Sequence, residues 1–117
     1  MKEKQTVDFL SPLEDVVIHE LFQRKELTSR AIFTLLRKRK KRAALTSIAV
    51  SLDRLYSEGL VTRRTETCRG GLRYVYSASG KERDVYKLMI SRSVDKILER
   101  FGPVASSYFN ERFSKGK

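Results

Sequence analysis

The sequence of 117 residues has one cysteine, Cys68, and one histidine, His19. A single cysteine excludes a disulfide within the chain and a Cys-X-X-Cys metal site, and without a resolving partner it makes a poor redox sensor. His19 has no second imidazole with which to share a metal, so we interpret it as a surface residue. The chain also lacks a glycine-rich phosphate loop and a convincing carboxylate pair. We therefore expect no enzyme activity, no metal and no cofactor.

Long apolar segments are missing as well. No run approaches the about 20 residues of a membrane-spanning helix, and the opening MKEKQTVDFL lacks the apolar core of a signal peptide. Hydrophobic residues make up 40% of the chain and charged residues 33%, which is typical of a soluble globular protein. These features predict a cytoplasmic protein with no membrane partner.

Acidic charge is scarce in the middle of the chain. The formal net charge is +11, and residues 24–78 hold 14 basic and 4 acidic side chains. Residues 1–23 carry a net charge of −3 and residues 79–117 a net charge of +4. A basic middle between weakly charged ends favours a polyanionic partner, most commonly nucleic acid. The alternative, a basic surface that only aids solubility, leaves this asymmetry unexplained.

Two helices are predicted in the first third of the chain. Ser11 can cap a helix, Pro12 suits its first position and Glu14 completes a capping box, so this helix runs to about Gln23. A second helix follows a cap at residue 28 or 29, with an apolar stripe that starts at Ala31.

Six consecutive cations, RKRKKR at residues 37–42, follow the second helix. Two or three would complement the negative end of the helix dipole. Six repel one another, which predicts a frayed helix end and an exposed turn that contacts phosphates. The predicted contacts are Arg37, Arg39, Lys40, Lys41 and Arg42.

A third helix is predicted from about Thr46 to a C-terminal cap at Gly59. Its inward stripe consists of Ile48, Leu52, Leu55 and Tyr56. The opposite face carries small hydroxyls and a valine, which let a helix lie close to base edges in the major groove. Since no Asn, Gln or Lys occupies this face, we expect modest or partly indirect sequence readout. The candidate contacts are Thr46, Ser47, Val50, Ser51 and Arg54.

A β-hairpin is predicted next. LVTRRTE (residues 60–66) alternates as a strand does, CRGG (68–71) is a turn, and LRYVY (72–76) is rich in β-formers. Three helices followed by a basic hairpin predict a winged helix-turn-helix, in which the hairpin is the wing. The candidate wing contacts are Arg63, Arg69, Gly70 and Arg73, with Arg69 as the anchor.

The C-terminal third returns to a helical pattern, with a helix of about twenty residues, a break at Gly102-Pro103 and a shorter helix. Amphipathic helices beyond a winged domain are expected to pack against a second copy of the chain, which predicts a symmetric dimer. The alternative, packing on the chain's own core, stays open. The predicted interface residues are Val85, Leu88, Met89, Val94, Ile97, Leu98, Phe101, Tyr108 and Phe109.

The predicted protein is mainly α with a small β-hairpin. It consists of an N-terminal arm at residues 1–10, a winged helix-turn-helix at 11–78 and a helical dimerisation region at 79–117.

Four segments carry a resemblance to a known family. They are LSPLE (residues 10–14), LTSRAI (27–32), ALTSIAVSLDRL (44–55) and EGLV (58–61). Together they resemble the BlaI/MecI penicillinase-repressor family of transcription regulators over residues 10–77, and the tail does so in outline. The resemblance implies a dimeric repressor that places its third helix in the major groove of a palindromic operator. The tail departs from the copper-responsive branch because it contains no cysteine, and no cleavage site is identifiable in it.

Two functions from different classes therefore stand beside each other. The first is a DNA-binding transcription regulator that acts as a homodimeric repressor on double-stranded DNA. The second is an architectural protein that coats nucleic acid with little regard to sequence, and its mark would be affinity that collapses with salt. A winged domain used only for protein interactions fits less well, because the cations cluster at the turn and at the wing.

Overall fold

The computed structural model describes residues 10–114. The predicted N-terminal arm lies outside this range except for Leu10. The described residues form five helices and two strands, which in chain order are α1 (Pro12–Gln23), α2 (Ser29–Lys38), α3 (Leu45–Ser57), β1 (Val61–Cys68), β2 (Gly71–Ala78), α4 (Glu82–Phe101) and α5 (Pro103–Ser114). The predicted class, mainly α with a small β-hairpin, is confirmed.

Packing divides the chain into two units. One unit comprises Leu10–Tyr86 and holds α1 to α3, the hairpin and the first turn of α4. The described residues from Lys87 onward belong to the other. Within the first unit, Tyr86 packs edge-on against Phe22 with 5.8 Å between ring centroids, and its hydroxyl lies 3.1 Å from His19 Nε2. These contacts fix the start of α4 against α1.

The first two helices begin as the sequence predicts. Ser11 Oγ accepts a hydrogen bond from the Glu14 amide at 3.2 Å, and Glu14 Oε1 accepts one from the Ser11 amide at 3.0 Å. Thr28 Oγ1 accepts a hydrogen bond from the Ala31 amide at 3.1 Å. Each bond satisfies an amide that has no acceptor inside its helix, so short-range sequence signals set both start points.

Helix α3 ends in a Schellman motif. The Gly59 amide donates to the Tyr56 carbonyl and the Leu60 amide to the Leu55 carbonyl, both at 3.0 Å. Gly59 has φ +80°, a conformation that costs glycine little. The turn ends the helix and directs the chain into β1, as predicted from the glycine.

The core of the first unit lies between the three helices and the base of the hairpin. The stripe predicted for α3 is confirmed at Ile48, Leu52 and Leu55, which are fully buried. The prediction for Tyr56 is wrong, because its ring is 42% exposed and lies beside the wing. The other buried hydrophobic residues of this unit are Val17, Ile18, Leu21, Ile32, Leu36, Leu60, Val61, Val75, Tyr76 and Val85.

The hairpin pairs in antiparallel register from Val61 opposite Ala78 to Cys68 opposite Gly71. A short bridge ties its base to the loop before α2, since Leu27 and Tyr76 exchange backbone hydrogen bonds of 3.0 and 2.9 Å. An isolated two-stranded hairpin is marginally stable in water. The ties at its base therefore determine how firmly it is held.

Helix α4 is followed by a sharp break, as predicted. Gly102 has φ +59° and Pro103 opens α5. Within the described part of these two helices, Val85 and Ala105 are the buried residues. Val85 is only 2% exposed in the single chain. It belongs to the first unit and contributes to burial there, so it has no surface to offer a second copy, contrary to the sequence-based expectation.

Candidate nucleic-acid interface

The N-terminal half of α3 presents an exposed polar face. Thr46 and Ser47 are exposed, and Val50 is 66% exposed. They border a shallow groove of about 350 Å³ beside the start of α1. Ser51 departs from the expectation because it is 7% exposed. It lies three residues after Ile48 and lines the floor of this groove, so little of its side chain is accessible to a base edge.

The start of α3 is also the one among the first three helices without a side-chain cap. Ala44 occupies the N-cap position and offers no side-chain acceptor. The first intrahelical bond runs from the Ile48 amide to the Ala44 carbonyl. The preceding amides of the first turn point outward at the positive end of the helix dipole, which favours an anion.

The basic turn, residues 37–42, adjoins this helix start. Helix α2 ends at Lys38, and residues 37–42 are all exposed, as predicted for the turn. The helix end is not frayed, because backbone hydrogen bonds to Leu36 and Arg37 order it. Lys40, Lys41 and Arg42 form no ion pair with any residue of the described range 10–114, and the Arg37 guanidinium lies 5.6 Å from the Phe33 ring centroid. These four cations line a concavity of about 630 Å³ with Phe33, Ala43 and Ala44.

Arg39 points away from this concavity. Its guanidinium pairs with Glu20 of α1, and Arg24 Nη1 donates to the same carboxylate at 2.9 Å. Glu20 is 2% exposed, so the two arginines neutralise a buried charge. Arg39 was expected to contact phosphate, but the structure uses it to fasten the turn to α1.

The turn holds a lysine in a left-handed conformation. Lys40 has φ 59° and occupies the position after the α2 cap, where its amide donates to the Arg37 carbonyl at 3.0 Å. The Lys41 amide donates to the Leu36 carbonyl at 2.9 Å, which completes a second Schellman motif. Glycine is the usual residue at this position, and a lysine in this conformation costs about 1–2 kcal/mol of stability.

Lys40→Gly should stabilise the fold while removing one cation from the turn. The relief of about 1–2 kcal/mol is partly offset by the backbone entropy of glycine, about 0.5–1 kcal/mol. We expect the free energy of unfolding in urea to rise by about 0.5–1 kcal/mol. Lys40→Ala removes the same charge and keeps the strain. If both variants are equally stable, the strain at Lys40 contributes nothing.

Arg54 forms an ion pair within the fold. Its Nη1 lies 3.5 Å from Glu14 Oε2, and Glu14 is 4% exposed and also serves the capping box of α1. The Arg54 side chain is 46% exposed, so one edge of the guanidinium faces solvent. Arg54 can contact a phosphate in two ways. Its exposed edge can do so while the guanidinium stays paired with Glu14, or the whole guanidinium can turn away from Glu14.

Two wing arginines form ion pairs around the hairpin. Arg73 Nε donates to Glu66 Oε2 at 2.8 Å across the strand pair, and this bond lowers the pKa of the Glu66 carboxyl below its ordinary value. Arg64 binds both carboxylate oxygens of Glu26, at 2.7 and 3.0 Å, and lowers the pKa of Glu26 in the same way. The wing is thereby fastened to the loop before α2.

The tip of the wing is free. Arg69 and Gly70 form its exposed two-residue loop, and Gly70 has φ +93°. Arg69 pairs with no carboxylate in the part of the chain that the structure describes. Of the four predicted wing contacts, Arg69 and Gly70 are the two that are exposed enough to approach the sugar-phosphate backbone of a nucleic acid.

Arg63 lies inside a polar and aromatic cluster. Its guanidinium carbon is 3.8 Å from the Tyr56 ring centroid and 4.1 Å from that of Tyr74, and Nη1 donates to Asp53 Oδ1 at 3.0 Å. Partial desolvation opposes its charge, yet its pKa is raised because of a side-chain hydrogen bond with Tyr76. Burial in turn raises the pKa of the Tyr76 phenol.

One residue of this surface was not recognised from the sequence. Arg30, in the first turn of α2, borders a groove of about 720 Å³ with Arg69 and Arg73 of the wing and Ala49 of α3. The sequence did hold a signal. A cation in the first turn of a helix interacts unfavourably with the helix dipole, so Arg30 does not stabilise the start of α2 through its charge.

The described residues contain no group of side chains arranged for a metal, and no helix among them is long and apolar enough to cross a membrane.

Helices α1 to α3 with a two-stranded hairpin define a winged helix-turn-helix, the fold of many transcription regulators. Solved structures share it. A possible transcriptional regulator from Methanosarcina mazei superposes with a TM-score of 0.65 at 14% identity, over 85% of this chain and 79% of that one. A PadR family transcription regulator from Clostridium difficile has a TM-score of 0.52 at 20% identity, and the match covers 75% of this chain and 96% of that one. The ferric uptake regulator of Vibrio cholerae has a TM-score of 0.51 at 17% identity, and the match covers 63% of this chain and 56% of that one.

The sequence itself identifies the family. Residues 10–115 match the model of the penicillinase repressor family. The chain belongs to this family of transcription regulators, as the four segments predicted. No curated protein matches the sequence significantly.

Proposed function

We propose that this protein is a transcriptional repressor that binds a palindromic DNA operator as a homodimer. In each protomer, α3 enters the major groove, where Thr46 and Ser47 bond to base or phosphate oxygens and Val50 packs on a thymine methyl. Arg37, Lys40, Lys41 and Arg42 contact phosphates beside the groove, and the wing tip contacts the backbone through Arg69. Repression requires only that the bound protein occupy a promoter.

The observation that carries this proposal is the combination found at the start of α3. An exposed, uncapped helix start stands next to four cations that pair with no described carboxylate. Unpaired cations on a concave surface attract a polyanion, and the free amides of the first turn can donate hydrogen bonds to a phosphate oxygen. A turn that served only the fold would have used glycine at position 40.

The dimer is supported by the apolar surface of the C-terminal helices. Eight of the predicted interface residues, all except Val85, are half-buried or exposed in the single chain. Phe101 is 52% and Tyr108 is 53% exposed, and two unpredicted neighbours, Val104 and Phe113, are 73% and 66% exposed. Large apolar side chains exposed along two consecutive helices are typical of an interface. A two-fold partner would cover them and would match an operator with a dyad.

The alternative function is sequence-tolerant coating of nucleic acid. The exposed face of α3 favours the coating function in one respect. Its residues Thr46, Ser47 and Val50 cannot form the bidentate base contacts that Arg, Asn and Gln form. In that function the basic turn supplies most of the affinity and α3 supports it.

Selection from randomised DNA duplexes at near-physiological salt separates the two functions. We expect an enriched palindrome, with half-site centres separated by about one or two helical turns, about 10 or 20 base pairs. Enrichment of a single, unrepeated site would contradict the homodimer. A bound pool identical to the input would contradict sequence-specific repression and favour coating.

Four single variants, one of them a control, test the docking of α3. Ser47→Ala and Val50→Ala should change which bases are enriched, with each altered contact shifting discrimination by about 1–3 kcal/mol. Arg69→Ala should instead weaken binding to all duplexes alike and reduce the salt slope by about 0.9. Ser57→Ala, an exposed hydroxyl at the far end of the same helix, serves as the control. If the enriched sequences are unchanged in Ser47→Ala and Val50→Ala, α3 does not read the bases.

A further inference from the structure

We infer that Arg63 is a positioning residue that holds the wing at a fixed angle to α3, rather than a DNA contact. The inference rests on the proposed function, because a fixed angle matters only if α3 and the wing bind one duplex. It assigns Arg63 a role different from that of the other cations of the basic middle of the chain.

The guanidinium joins the two elements directly. Arg63 lies on β1, whereas Asp53 and Tyr56 lie on α3 and Tyr74 lies on β2. The flat cation sits between the Tyr56 and Tyr74 rings, at 3.8 and 4.1 Å from their centroids, and donates to Asp53 at 3.0 Å. One side chain of the wing thus contacts a ring and a carboxylate of the recognition helix.

The side chain is poorly placed to meet a phosphate. It is 22% exposed, whereas the side chains of Arg64 and Arg73 are 52% and 50% exposed. Tyr74 on the same face of the hairpin also covers it, since Arg63 pairs with Tyr76 and Tyr74 is the diagonal neighbour. A phosphate would have to displace Asp53 and separate the two rings.

Three other polar ties of the wing run elsewhere. Arg64 binds Glu26 before α2, Leu27 bridges to Tyr76, and Arg73 pairs with Glu66 within the hairpin. These three ties hold the base of the wing and stiffen it without contacting α3, and Arg63 adds a polar tie to α3 farther from the core. A lysine could not replace Arg63, because an ammonium has no planar face to stack between two rings.

The first test measures the protein without DNA. Arg63→Lys keeps the charge and loses the stacking, so hydrogen exchange of the backbone amides of β1 and β2 should accelerate by about 10-fold while the core amides of α3 change little. Arg73→Lys is the matched control, since it alters a wing arginine of similar charge that does not touch α3. Tyr56→Leu should reproduce the effect of Arg63→Lys, and Tyr56→Phe should not. Unchanged exchange in Arg63→Lys would overturn the inference.

The second test measures affinity for a duplex in two backgrounds. If Arg63 positions the wing, Arg63→Lys should weaken binding by about 10-fold in the wild-type chain and by less than about 2-fold in Arg69→Ala, where the wing contact is already lost. If Arg63 instead touches a phosphate, Arg63→Lys should be nearly silent. Arg63→Ala should then add to Arg69→Ala and reduce the salt slope by about 0.9.

The two tests separate the inference from the proposed function. A chain that binds no DNA refutes the proposed function, and hydrogen exchange still reports whether Arg63 holds the wing against α3. A chain that binds DNA with additive effects of Arg63 and Arg69 retains the proposed function and refutes the inference.

Discussion

Replacing Arg37, Lys40, Lys41 and Arg42 together with glutamine should lower the affinity for a selected duplex by about 10³-fold at near-physiological salt. Each lost phosphate contact removes about 0.9 counterions from the release that drives binding, so four losses should make the salt slope shallower by about 3–4. Fluorescence anisotropy titrations over a series of salt concentrations measure both quantities. The fold should persist, because these side chains pair with no carboxylate of the described residues.

The control for this variant removes the same number of charges elsewhere. Glutamine at Lys25, Lys81, Arg83 and Lys87, which are exposed, also lowers the formal net charge from +11 to +7. If the basic turn is the contact surface, the control variant should retain most of the affinity and nearly the full salt slope. Equal losses in the two variants would show that total charge, and not the place of the turn, governs binding.

Replacing both Arg24 and Arg39 with alanine should lower the free energy of unfolding by about 3 kcal/mol. The change leaves the Glu20 carboxylate buried with neither of its cations. The expected loss lies at the low end of the range for broken buried pairs, because both arginine side chains are about 40% exposed. Thermal unfolding should show a drop in Tm of more than about 10 °C.

A third substitution distinguishes the buried charge from the loss of packing. Adding Glu20→Gln to the double variant removes the unpaired charge, so part of the stability should return. If the triple variant is no more stable than the double variant, the arginine stems stabilise the fold by their contacts and the charge pairing is unimportant. Arg39→Ala alone should leave the salt slope of DNA binding unchanged, unlike substitutions at Lys40 and Lys41.

Local features could be predicted because neighbours in sequence determine them. The capping box of Ser11 and Glu14 needs only a spacing of three residues. Thr28 caps α2 in the same way, and Gly59 ends α3 because it can adopt a positive φ. The buried stripe Ile48, Leu52 and Leu55 follows from the helical period. These signals were enough to predict where the first three helices begin or end and which face of α3 is buried. The family was predicted separately, from the resemblance of four segments.

The assignment of individual polar residues was less successful. Ser51 was placed on the exposed face of α3, although its spacing from Ile48 also fits the buried face. Tyr56 was placed in the core, although it stands at the end of the helix, where the wing offers a cation to its ring. In both cases the helical period is compatible with either the buried or the exposed face of α3. Contacts with residues distant in sequence determine which face the side chain occupies.

The sequence by itself therefore determined the fold class, the family and the concentration of positive charge in residues 24–78. Only the tertiary structure decided which cations are free to bind another molecule. Arg39 is held by Glu20, Arg54 by Glu14 and Arg63 by Asp53, and the partners are 10 to 40 residues apart along the chain. A guanidinium has the same charge and reach at every position, so its sequence neighbours do not reveal its partner. Folding brings the carboxylates to some arginines and leaves the basic turn and the wing tip exposed.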